Sequence, residues 1–534
     1  MNSLGEYDYV IVGAGSAGCL LANRLSENKN YRVLLIEAGK NDNYIWINIP
    51  VGYLYCIGNP RTDWCLNTEE VPGLNGRSIS YPRGKVMGGC SSINGMIYMR
   101  GQAIDYDTWR QMGNKGWGWD DVVPFFKNFE NHWKKNDPMH GNNGELRVEK
   151  QRLSWNILDA FQRSCEQYGI KTIEDFNKGD NEGSSYFEVN QRKGTRWNAV
   201  KSFITPIKNR KNLTILSETH AQKLLFKNNK VTGLLVVKNK KQYRVTSNKE
   251  VILSAGTINS PQLLQVSGIG PPRLLQSLKI NPIIENEAVG KNLQDHLQIR
   301  TIFKIQNSVT LNEQYNNIFK KLKIALNYSF FKKGPMTMAP SQFGVFTKSD
   351  PDQSRANIQY HVQPLSLEKI GEPLHSFPAI TASVCNLAPE SRGYVEIKSS
   401  NTSISPKIQP NYLSTHNDKI VAANSIRVTR NIMSQPALAQ FNPVEYKPGS
   451  NIISDEDLAV AAGNICYTMF HPVGTCKMGN DNNSVVNDRL QVHGVKNLRI
   501  ADASIMPVIT RGNTNAPTMM IAEKAASFIN EQYK

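Results

Sequence analysis

The chain has 534 residues, of which 40% are apolar and 20% are charged, and its 62 Lys and Arg against 45 Asp and Glu give a formal net charge of +17. This composition is typical of a globular protein and excludes a disordered, collagenous or coiled-coil chain. The length predicts two domains or one large lobed domain. Because the lysines are dispersed and no aromatic and basic stripe occurs, the sequence does not predict nucleic-acid binding.

Targeting features and cysteines indicate the compartment. No run of about eighteen apolar residues occurs, so no membrane-spanning helix is predicted. The N-terminus lacks a basic segment and leads directly into a strand pattern, which predicts no secretory signal. The eight cysteines are scattered and form no C-x-x-C pair, so we expect reduced thiols in a cytoplasm and neither a zinc site nor a disulfide framework.

The N-terminal elements predict a βαβ unit followed by an irregular segment. Residues 7–13 are typical of a buried strand, 16–26 of a helix and 32–37 of a second buried strand. The stretch 41–74 is aromatic and interrupted by Pro and Gly, which predicts a long loop or lid instead of a regular element. Its aromatic side chains fit a pocket wall and a packed core equally well: Trp46, Tyr53, Tyr55 and Trp64.

The later elements mix strand and helix patterns. The sequence predicts helices at 118–130, 155–168, from 261 onward and at 517–531. It predicts a β-meander with strands at 214–216, 224–227, 231–237 and 243–245, then apolar strands at 250–254 and 498–500. The apolar spacing over 313–331 predicts a helix packed on the second domain, and the lysines beside it also permit a helix at a membrane surface.

A dinucleotide fingerprint connects the first strand to the first helix. Gly13 permits a tight turn, Gly15 lets the backbone approach a pyrophosphate, and Gly18 lets helix and strand pack closely. The free N–H groups at the helix start favour phosphate binding, and Glu37 ends the next strand where it can accept hydrogen bonds from ribose hydroxyls. We assign Ser16 and Ala38 to the same site.

The fingerprint does not separate NAD from FAD, but the sequence contains one such site. An enzyme that uses both a flavin and a nicotinamide usually needs two. If the nucleotide is FAD, electrons must therefore come from an organic substrate and leave to oxygen or to another carrier such as a quinone.

A second Gly-rich stretch carries a family resemblance. Residues 82–101 contain Gly88-Gly89 followed by three small residues and then Asn94-Gly95, which indicates a turn or a backbone lying flat against a planar ligand. The stretch closely resembles the first signature of the glucose–methanol–choline (GMC) oxidoreductases. Residues 256–270 resemble the family's second signature, and residues 289–296 and the C-terminal blocks also match.

The resemblance implies a two-domain α/β flavoprotein with a Rossmann-like FAD-binding domain and an α+β substrate domain built on an antiparallel sheet. The implied division of the chain is discontinuous. The FAD-binding domain takes 1–40, 75–120, 196–296 and 466–534, the lid takes 41–74, and the substrate domain takes 121–195 and 297–465.

The resemblance also implies cofactor contacts. Some members of the family attach FAD through a His after the Gly-Gly pair, but here that position is Ile93, which has no nucleophile, so noncovalent FAD is expected. The residues implied to lie along the cofactor are Gly89, Asn94, Gly95, Ala221, Asp502, Ala503 and Asn515.

His471 and Asn513 are the candidate catalytic pair. Alone, His471 before a Pro fits a structural imidazole, and residues 511–517 fit a helix start. The resemblance implies instead that both face the flavin, with Asn515 contacting the flavin. His471 would then accept a hydroxyl proton while hydride passes from the alcohol to flavin N5, and Asn513 would donate a hydrogen bond to the developing alkoxide.

Substrate recognition is the least specified part of the sequence. Gln298, His361 and Phe470 are expected near the pocket, and His296 also resembles a polar pocket residue. Gln298 occupies the position where choline-oxidising relatives have a carboxylate. Because Gln298 is neutral, it forms no ion pair with the trimethylammonium group of choline. An anionic hydroxy compound is compatible with the basic chain. The expected activity is alcohol oxidation to an aldehyde or ketone by a dehydrogenase; the alternatives are an oxygen-using oxidase and a non-redox lyase on the same fold.

Overall fold

A computed structural model describes residues 2–315, 318–368 and 372–533. Two seven-stranded sheets organise the described chain. The first, which we call the mixed sheet, has the order Leu213–Leu216, Val33–Ile36, Asn2–Val12, Lys241–Leu253, Lys230–Lys238 and Thr219–Lys227, with Leu498–Ile500 beside Lys241–Leu253.

The parallel part of the mixed sheet forms the first core. Val33–Ile36 is buried along its whole length, and the helix Ser16–Leu25 covers the sheet together with Asn515–Gln532, which we call the final helix. A strand covered on both faces must be apolar throughout, which explains why the first strands read as continuous apolar runs. The carboxyl ends of these strands lead into the glycine-rich turn at Gly13.

The second sheet, which we call the antiparallel sheet, has two chemically different faces. Its order is Val444–Lys447, Leu297–Lys304, Ala379–Asn386, Ile358–Gln363, Phe343–Thr347 and Gly183–Tyr186, with Cys466–Thr468 also paired to Leu297–Lys304. Alternate residues such as Ile299, Val384 and Tyr360 pack into the second core with the helix His416–Met433. Since side chains alternate along a strand, the intervening residues face the other way.

Helices and short ladders surround the two sheets. The other helices are Ala103–Gln111, Trp119–Phe129, Asn156–Gln167, Gly256–Val266, Pro272–Ser277, Leu311–Tyr315, Ile318–Phe331, Pro436–Ala439 and Asp455–Ile465. The two-stranded ladders pair Glu130–His132 with Leu146–Val148, Gln191–Arg192 with Thr195–Arg196, Ile269–Gly270 with Ile284–Glu285, and Tyr394–Glu396 with Lys407–Gln409.

The predicted β-meander is confirmed for Thr219–Lys227, Lys230–Lys238 and Lys241–Leu253, which pair as successive antiparallel strands, but its first strand and its last boundary are wrong. Leu213–Leu216 pairs in parallel with Val33–Ile36 and takes no part in a meander. The strands predicted at 243–245 and 250–254 are one strand, Lys241–Leu253, which forms a hairpin with Lys230–Lys238 and then runs beside Asn2–Val12. The polar residues between the two halves resemble a turn in sequence, but they lie where the strand passes from the sheet edge to its centre.

The segment predicted as a loop or lid contains regular structure. It forms the helical turns Ile45–Asn48 and Tyr53–Cys56 and the 3-10 turns Pro50–Gly52 and Pro72–Leu74. Such single turns are shorter than the periodicity that reveals a helix in sequence. The rings of Trp46 and Tyr55 stack with centroids 4.0 Å apart, whereas Tyr53 and Trp64 face the cavity described below.

The predicted helix over 313–331 forms, but the expectation that its apolar stripe packs on the second domain is wrong. It is Leu311–Tyr315 and Ile318–Phe331; residues 316 and 317 lie outside the described residues. Its large apolar side chains face solvent: Phe319, Leu322, Leu326, Phe330 and Phe331. Spacing alone reveals that a stripe exists and not what it faces. No helix among the described residues is both long and apolar enough to cross a bilayer.

A buried ion-pair network lies apart from the two sheets. The ring nitrogens of His140 contact Glu130 at 2.8 Å and Asp175 at 2.8 Å, and Glu130 also pairs with Arg100. Burial alone would lower the pKa of His140, but the hydrogen bonds to Asp175 and Glu130 outweigh it and raise the pKa to about 9. Because both nitrogens donate to carboxylates, His140 is an imidazolium that holds this part of the fold together.

We expect the folded protein to lose stability between pH 6.5 and about 9 through His140. The pKa is higher in the folded state, so the contribution is complete below the ordinary value and disappears as pH rises through the folded value; it is on the order of 3 kcal/mol. Melting temperatures of wild type and His140→Gln should be measured across this pH range. The wild type should melt higher at pH 6.5, and the difference should shrink as pH rises to about 9. A difference in melting temperature that stays constant with pH would contradict the assignment of His140 as an imidazolium.

Candidate active site

One large cavity lies between the two sheets. Its walls come from the glycine-rich turns, the segment around Tyr53 and the polar face of the antiparallel sheet. Its volume is about 310 Å³, which falls within the roughly 300–1,000 Å³ of small-molecule and cofactor pockets. The residues predicted for cofactor and substrate line it, except Gly18 and His296.

The glycines of the fingerprint serve different purposes. Gly13 has φ +98°, and a Cβ there would lie 2.5 Å from the Ser254 carbonyl oxygen. A Cβ on Gly18 would lie 1.9 Å from the carbonyl oxygen of Gly13, so both glycines are required by the packing of the protein itself. A Cβ on Gly15 would meet nothing nearer than 4.0 Å. Gly15 instead leaves open space at the start of a helix, which fits the approach of a phosphate.

Glu37 is a fixed carboxylate at this end of the cavity. Its Oε2 accepts a hydrogen bond from the Ala14 N–H at 2.9 Å and its Oε1 accepts one from the Gly39 N–H at 2.8 Å. Burial raises the pKa of Glu37 to about 7, against the opposing effect of these backbone bonds. Each carboxylate oxygen can accept a second hydrogen bond, so the residue retains capacity for ribose hydroxyls.

The second Gly-rich stretch packs against the first. Gly89 has φ +51°, and a Cβ there would lie 2.7 Å from the Cα of Gly15. Asn94 is held by two hydrogen bonds to its Oδ1, from Arg196 at 2.9 Å and from the Met96 N–H at 3.0 Å. The two glycine-rich backbones therefore form one continuous wall of the cavity, joined by Gly95 and Ile93.

The start of the final helix closes the same region. The Ser16 hydroxyl donates to Asn515 Oδ1 at 2.6 Å, which brings the N-termini of two helices together. Asp502 accepts hydrogen bonds from the Gly256 N–H at 2.9 Å and the Ser260 hydroxyl at 2.6 Å. Ala38, Ala221 and Ala503 line the remaining wall. Two positive helix ends next to open space suit the phosphates of a dinucleotide.

His471 and Asn513 lie together at the other end of the cavity. Asn513 Nδ2 is 3.1 Å from His471 Nε2, and Asn513 Oδ1 accepts a hydrogen bond from Gln359 Nε2 at 3.4 Å. The contact to Gln359 sets the orientation of the amide, so its NH₂ group faces the imidazole. His471 Nε2 must then act as the acceptor.

His296 sets the tautomer of His471. The Nε2 of His296 lies 3.3 Å from the Leu387 carbonyl oxygen, which can only accept, so His296 carries its proton there. Its Nδ1 is then an acceptor, and it lies 3.1 Å from the Nδ1 of His471. His471 therefore carries its proton on Nδ1 and presents the lone pair of Nε2 to Asn513 and the cavity.

Burial keeps His471 neutral. Desolvation is the largest effect, followed by His296, His361 and Arg83, and together they hold the pKa of His471 well below its ordinary value. The backbone of His471 is fixed independently, because its N–H donates to Asp295 Oδ1 at 2.8 Å. Asp295 Oδ2 accepts from Thr468, Tyr81 and Tyr412, so it anchors the loop and does not touch the imidazole.

The residues expected for the substrate also face this end. Gln298 donates to the Thr468 carbonyl at 3.0 Å, Phe470 adopts a left-handed conformation with φ 66°, and His361 Nε2 has no hydrogen-bond partner among the described residues. Sequence reasoning missed Gln359 and Arg300. Arg300 lies two residues after Gln298 on one strand, so the strand period places both on one face.

Comparison with known proteins agrees with the geometry. Family models described as GMC oxidoreductase match residues 7–298 and 389–522. The chain is 39% identical to an alcohol dehydrogenase [acceptor] of Pseudomonas putida, over 98% of this chain and 95% of that protein. It is 38% identical to the mitochondrial choline dehydrogenase of Homo sapiens, over 99% of this chain and 91% of that protein.

Solved structures share the fold. A pyridoxine 4-oxidase from Mesorbium loti superposes with a TM-score of 0.90 at 30% identity, covering 98% of this chain and 99% of that chain. A formate oxidase superposes with a TM-score of 0.93 at 25% identity, covering 100% and 99%. The predicted resemblance and two-domain fold are confirmed. The chain belongs to the GMC oxidoreductase family and is therefore an FAD-binding enzyme that acts on CH–OH donors.

Proposed function

We propose that the protein oxidises an alcohol to an aldehyde or ketone, with His471 as the general base and Asn513 as the hydrogen-bond donor to the reacting oxygen. The observation that carries this proposal is the neutral His471, whose Nε2 lone pair faces the cavity 3.1 Å from the Asn513 amide. When bound, FAD supplies the hydride acceptor. The cavity walls around Gly15, Asn94 and Asn515 fit that cofactor.

Proton transfer follows from the tautomer. The Nε2 of His471 accepts the hydroxyl proton of the alcohol, and the Nδ1 proton, directed at His296, remains in place. Because Nε2 has one lone pair, the Asn513 N–H must leave it when the alcohol hydroxyl binds there, and the released N–H can then donate to the alkoxide oxygen. A preorganised donor in a site that excludes water stabilises developing negative charge more strongly than water does. The positive end of the final helix at Asn515 would stabilise the negative charge of a reduced flavin held there.

The proposed cofactor attachment is noncovalent. Ile93 lines the cavity with a hydrocarbon side chain, which supports the expectation that no bond forms at that position. Electrons then leave to a carrier other than a nicotinamide, because one fingerprint serves one dinucleotide. The free state of all eight cysteines supports a cytoplasmic location. The exposed apolar stripe of the helix Ile318–Phe331, next to Lys323, Lys332 and Lys333, supports additional contact with a membrane surface.

The test of this function is turnover of a panel of alcohols with an artificial dye, NAD or oxygen as the electron acceptor. We expect aldehyde to form when the dye is the acceptor, and the rate to be independent of NAD. Under air, the rate of peroxide formation should be lower than the rate of dye reduction. Peroxide formed one for one with aldehyde would make the enzyme an oxidase. Cleavage of hydroxynitriles without aldehyde formation from any alcohol would replace the oxidation with lyase chemistry.

His296 is a positioning residue, and its replacement should affect catalysis through the tautomer of His471. His296→Phe removes the acceptor for the Nδ1 proton, so the proton can move to Nε2 and block the base. We expect flavin reduction to slow by at least about 10-fold, and by no more than the ~10²–10⁴-fold that a general base supplies. His296→Gln retains an acceptor and should recover most of the rate. Equal rates in both variants would show that only packing matters.

A further inference from the structure

Arg300 is a buried arginine that faces the cavity. It lies on the strand Leu297–Lys304, is 5% exposed and lines the same cavity as His471. Ser383 pairs with Arg300 across the sheet, and His361 pairs with Ser383 on the next strand, so the three side chains form one row on the polar face. This row is a second polar centre at the same end of the cavity as His471 and Asn513.

No negative group in the described part of the chain pairs with Arg300. The groups near it are the hydroxyls of Tyr53 and Tyr467 and, more distantly, Glu368, which is 45% exposed and bonded to Lys447. The acidic residues that line the cavity are Glu37 and Asp502, and both belong to its nucleotide end. An arginine keeps its proton inside proteins, and a buried charge without a partner is strongly destabilising.

Other polar atoms of this face also lack partners. His361 Nε2, Ser383 Oγ and Gln359 Oε1 are buried without a hydrogen bond among the described residues. Such groups are rare in folded proteins. Of the three, His361 also lines the cavity, so its unpaired nitrogen in the row of Arg300 indicates a missing ligand. The guanidinium presents a planar fork of donors that matches a carboxylate through two parallel hydrogen bonds.

We propose that Arg300 binds the carboxylate of the substrate, so that the enzyme prefers alcohols that carry a carboxylate remote from the hydroxyl. The inference rests on the proposed function and names its substrate class. Within its row on the sheet, Arg300 is the one cation beside the neutral Ser383 and His361, so the row balances one negative charge, which favours a carboxylate over a phosphate ester.

The position of Arg300 also limits the spacing within the substrate. Arg300 follows His296 by four residues, which is about 13 Å along an extended strand, and His296 touches the base His471. The arginine side chain spans part of this distance and the substrate spans the remainder. A 2-hydroxy acid, whose two groups are on adjacent carbons, is too short, whereas an ω-hydroxy acid with several methylenes fits.

The first test compares two substrates of equal length, 6-hydroxyhexanoate and 1-hexanol, using holoenzyme. We expect the wild type to have the higher kcat/KM for the hydroxy acid, and Arg300→Gln to lower the ratio of the two kcat/KM values by about 10²-fold, mainly through KM. Arg300→Lys keeps the charge but not the fork and should give an intermediate ratio. Arg355→Gln, an exposed arginine of the same domain, is the control and should keep the wild-type ratio.

A binding measurement separates this inference from the reaction itself. Hexanoate cannot be oxidised at a hydroxyl, so calorimetry with hexanoate reports the carboxylate site alone, and 6-hydroxyhexyl phosphate in the substrate assay tests the alternative anion. We expect hexanoate to bind wild type at least tenfold more tightly than Arg300→Gln. Without hexanoate, Arg300→Met should melt at a higher temperature than wild type, because it removes an unpaired charge.

Each outcome decides a different question. Alcohol oxidation without preference for the hydroxy acid, or equal hexanoate binding by wild type and Arg300→Gln, would overturn the carboxylate site and leave the proposed function intact. Hexanoate binding that depends on Arg300 without oxidation of any alcohol would support the site and overturn the proposed reaction. Preference for the phosphate ester would overturn the assignment to carboxylates.

Discussion

Replacing His471 by Ala should slow anaerobic reduction of the bound flavin by an alcohol about 10²–10⁴-fold, while FAD remains bound. The expectation follows from the neutral imidazole, whose Nε2 is the acceptor nearest to Asn513. The side chain lies at the substrate end of the cavity, away from the glycines at the nucleotide end, so its loss should leave the absorbance of bound flavin unchanged.

Two measurements complete this prediction. His416→Ala, at the exposed start of the helix His416–Met433, is the matched control and should reduce flavin at the wild-type rate. Because the pKa of His471 lies well below its ordinary value of 6.5, the wild-type rate should stay level as pH falls through 6.5 and decline only in more acidic solution. A His471→Ala rate equal to wild type would refute the base assignment.

Replacing Gly15 by Val should produce a folded protein without FAD. A Cβ at this position meets no protein atom nearer than 4.0 Å, and the backbone φ of −76° suits any residue, so the fold should tolerate the change. The added methyl groups instead occupy the space beside the helix start where a phosphate would approach. We expect FAD affinity to fall by more than about 10²-fold, equivalent to roughly 3 kcal/mol.

Two further variants are the controls, a smaller side chain at Gly15 and a substitution at the neighbouring Gly18. Gly15→Ala should weaken FAD binding less than Gly15→Val. Gly18→Ala places a Cβ 1.9 Å from the Gly13 carbonyl oxygen and should therefore lower the melting temperature itself. Circular dichroism and the ratio of flavin to protein absorbance separate the two effects. A yellow Gly15→Val protein with one FAD per chain would contradict the assigned role of this glycine.

Local sequence rules predict the features that depend on local geometry. Gly13 and Gly18 are required by contacts between a strand and the helix that follows it, so their spacing is visible in the sequence. The first strand of the predicted meander was misplaced because Leu213–Leu216 pairs at the parallel edge with Val33–Ile36, a contact between segments far apart in the chain. Short polar stretches cannot show whether a strand turns or continues.

The site depends on contacts that no single segment contains. His296 and His471 are 175 residues apart, and their rings meet because Cys466–Thr468 pairs with Leu297–Lys304. A signature can therefore name His471, but the tautomer of its ring follows only from the carbonyl of Leu387 behind His296. Arg300 was overlooked for the same reason, since a single arginine on a strand has no distinctive pattern until the sheet shows which face it occupies.

The most direct test of the central claim is a single-turnover experiment with holoenzyme and a primary alcohol in the absence of oxygen. Reaction at the cavity with His471 as base predicts that the absorbance of oxidised flavin disappears as one equivalent of aldehyde forms. Substitution of deuterium at the reacting carbon should slow this change. Product formation with unchanged flavin absorbance, or a protein that remains colourless after incubation with excess FAD, would contradict the account.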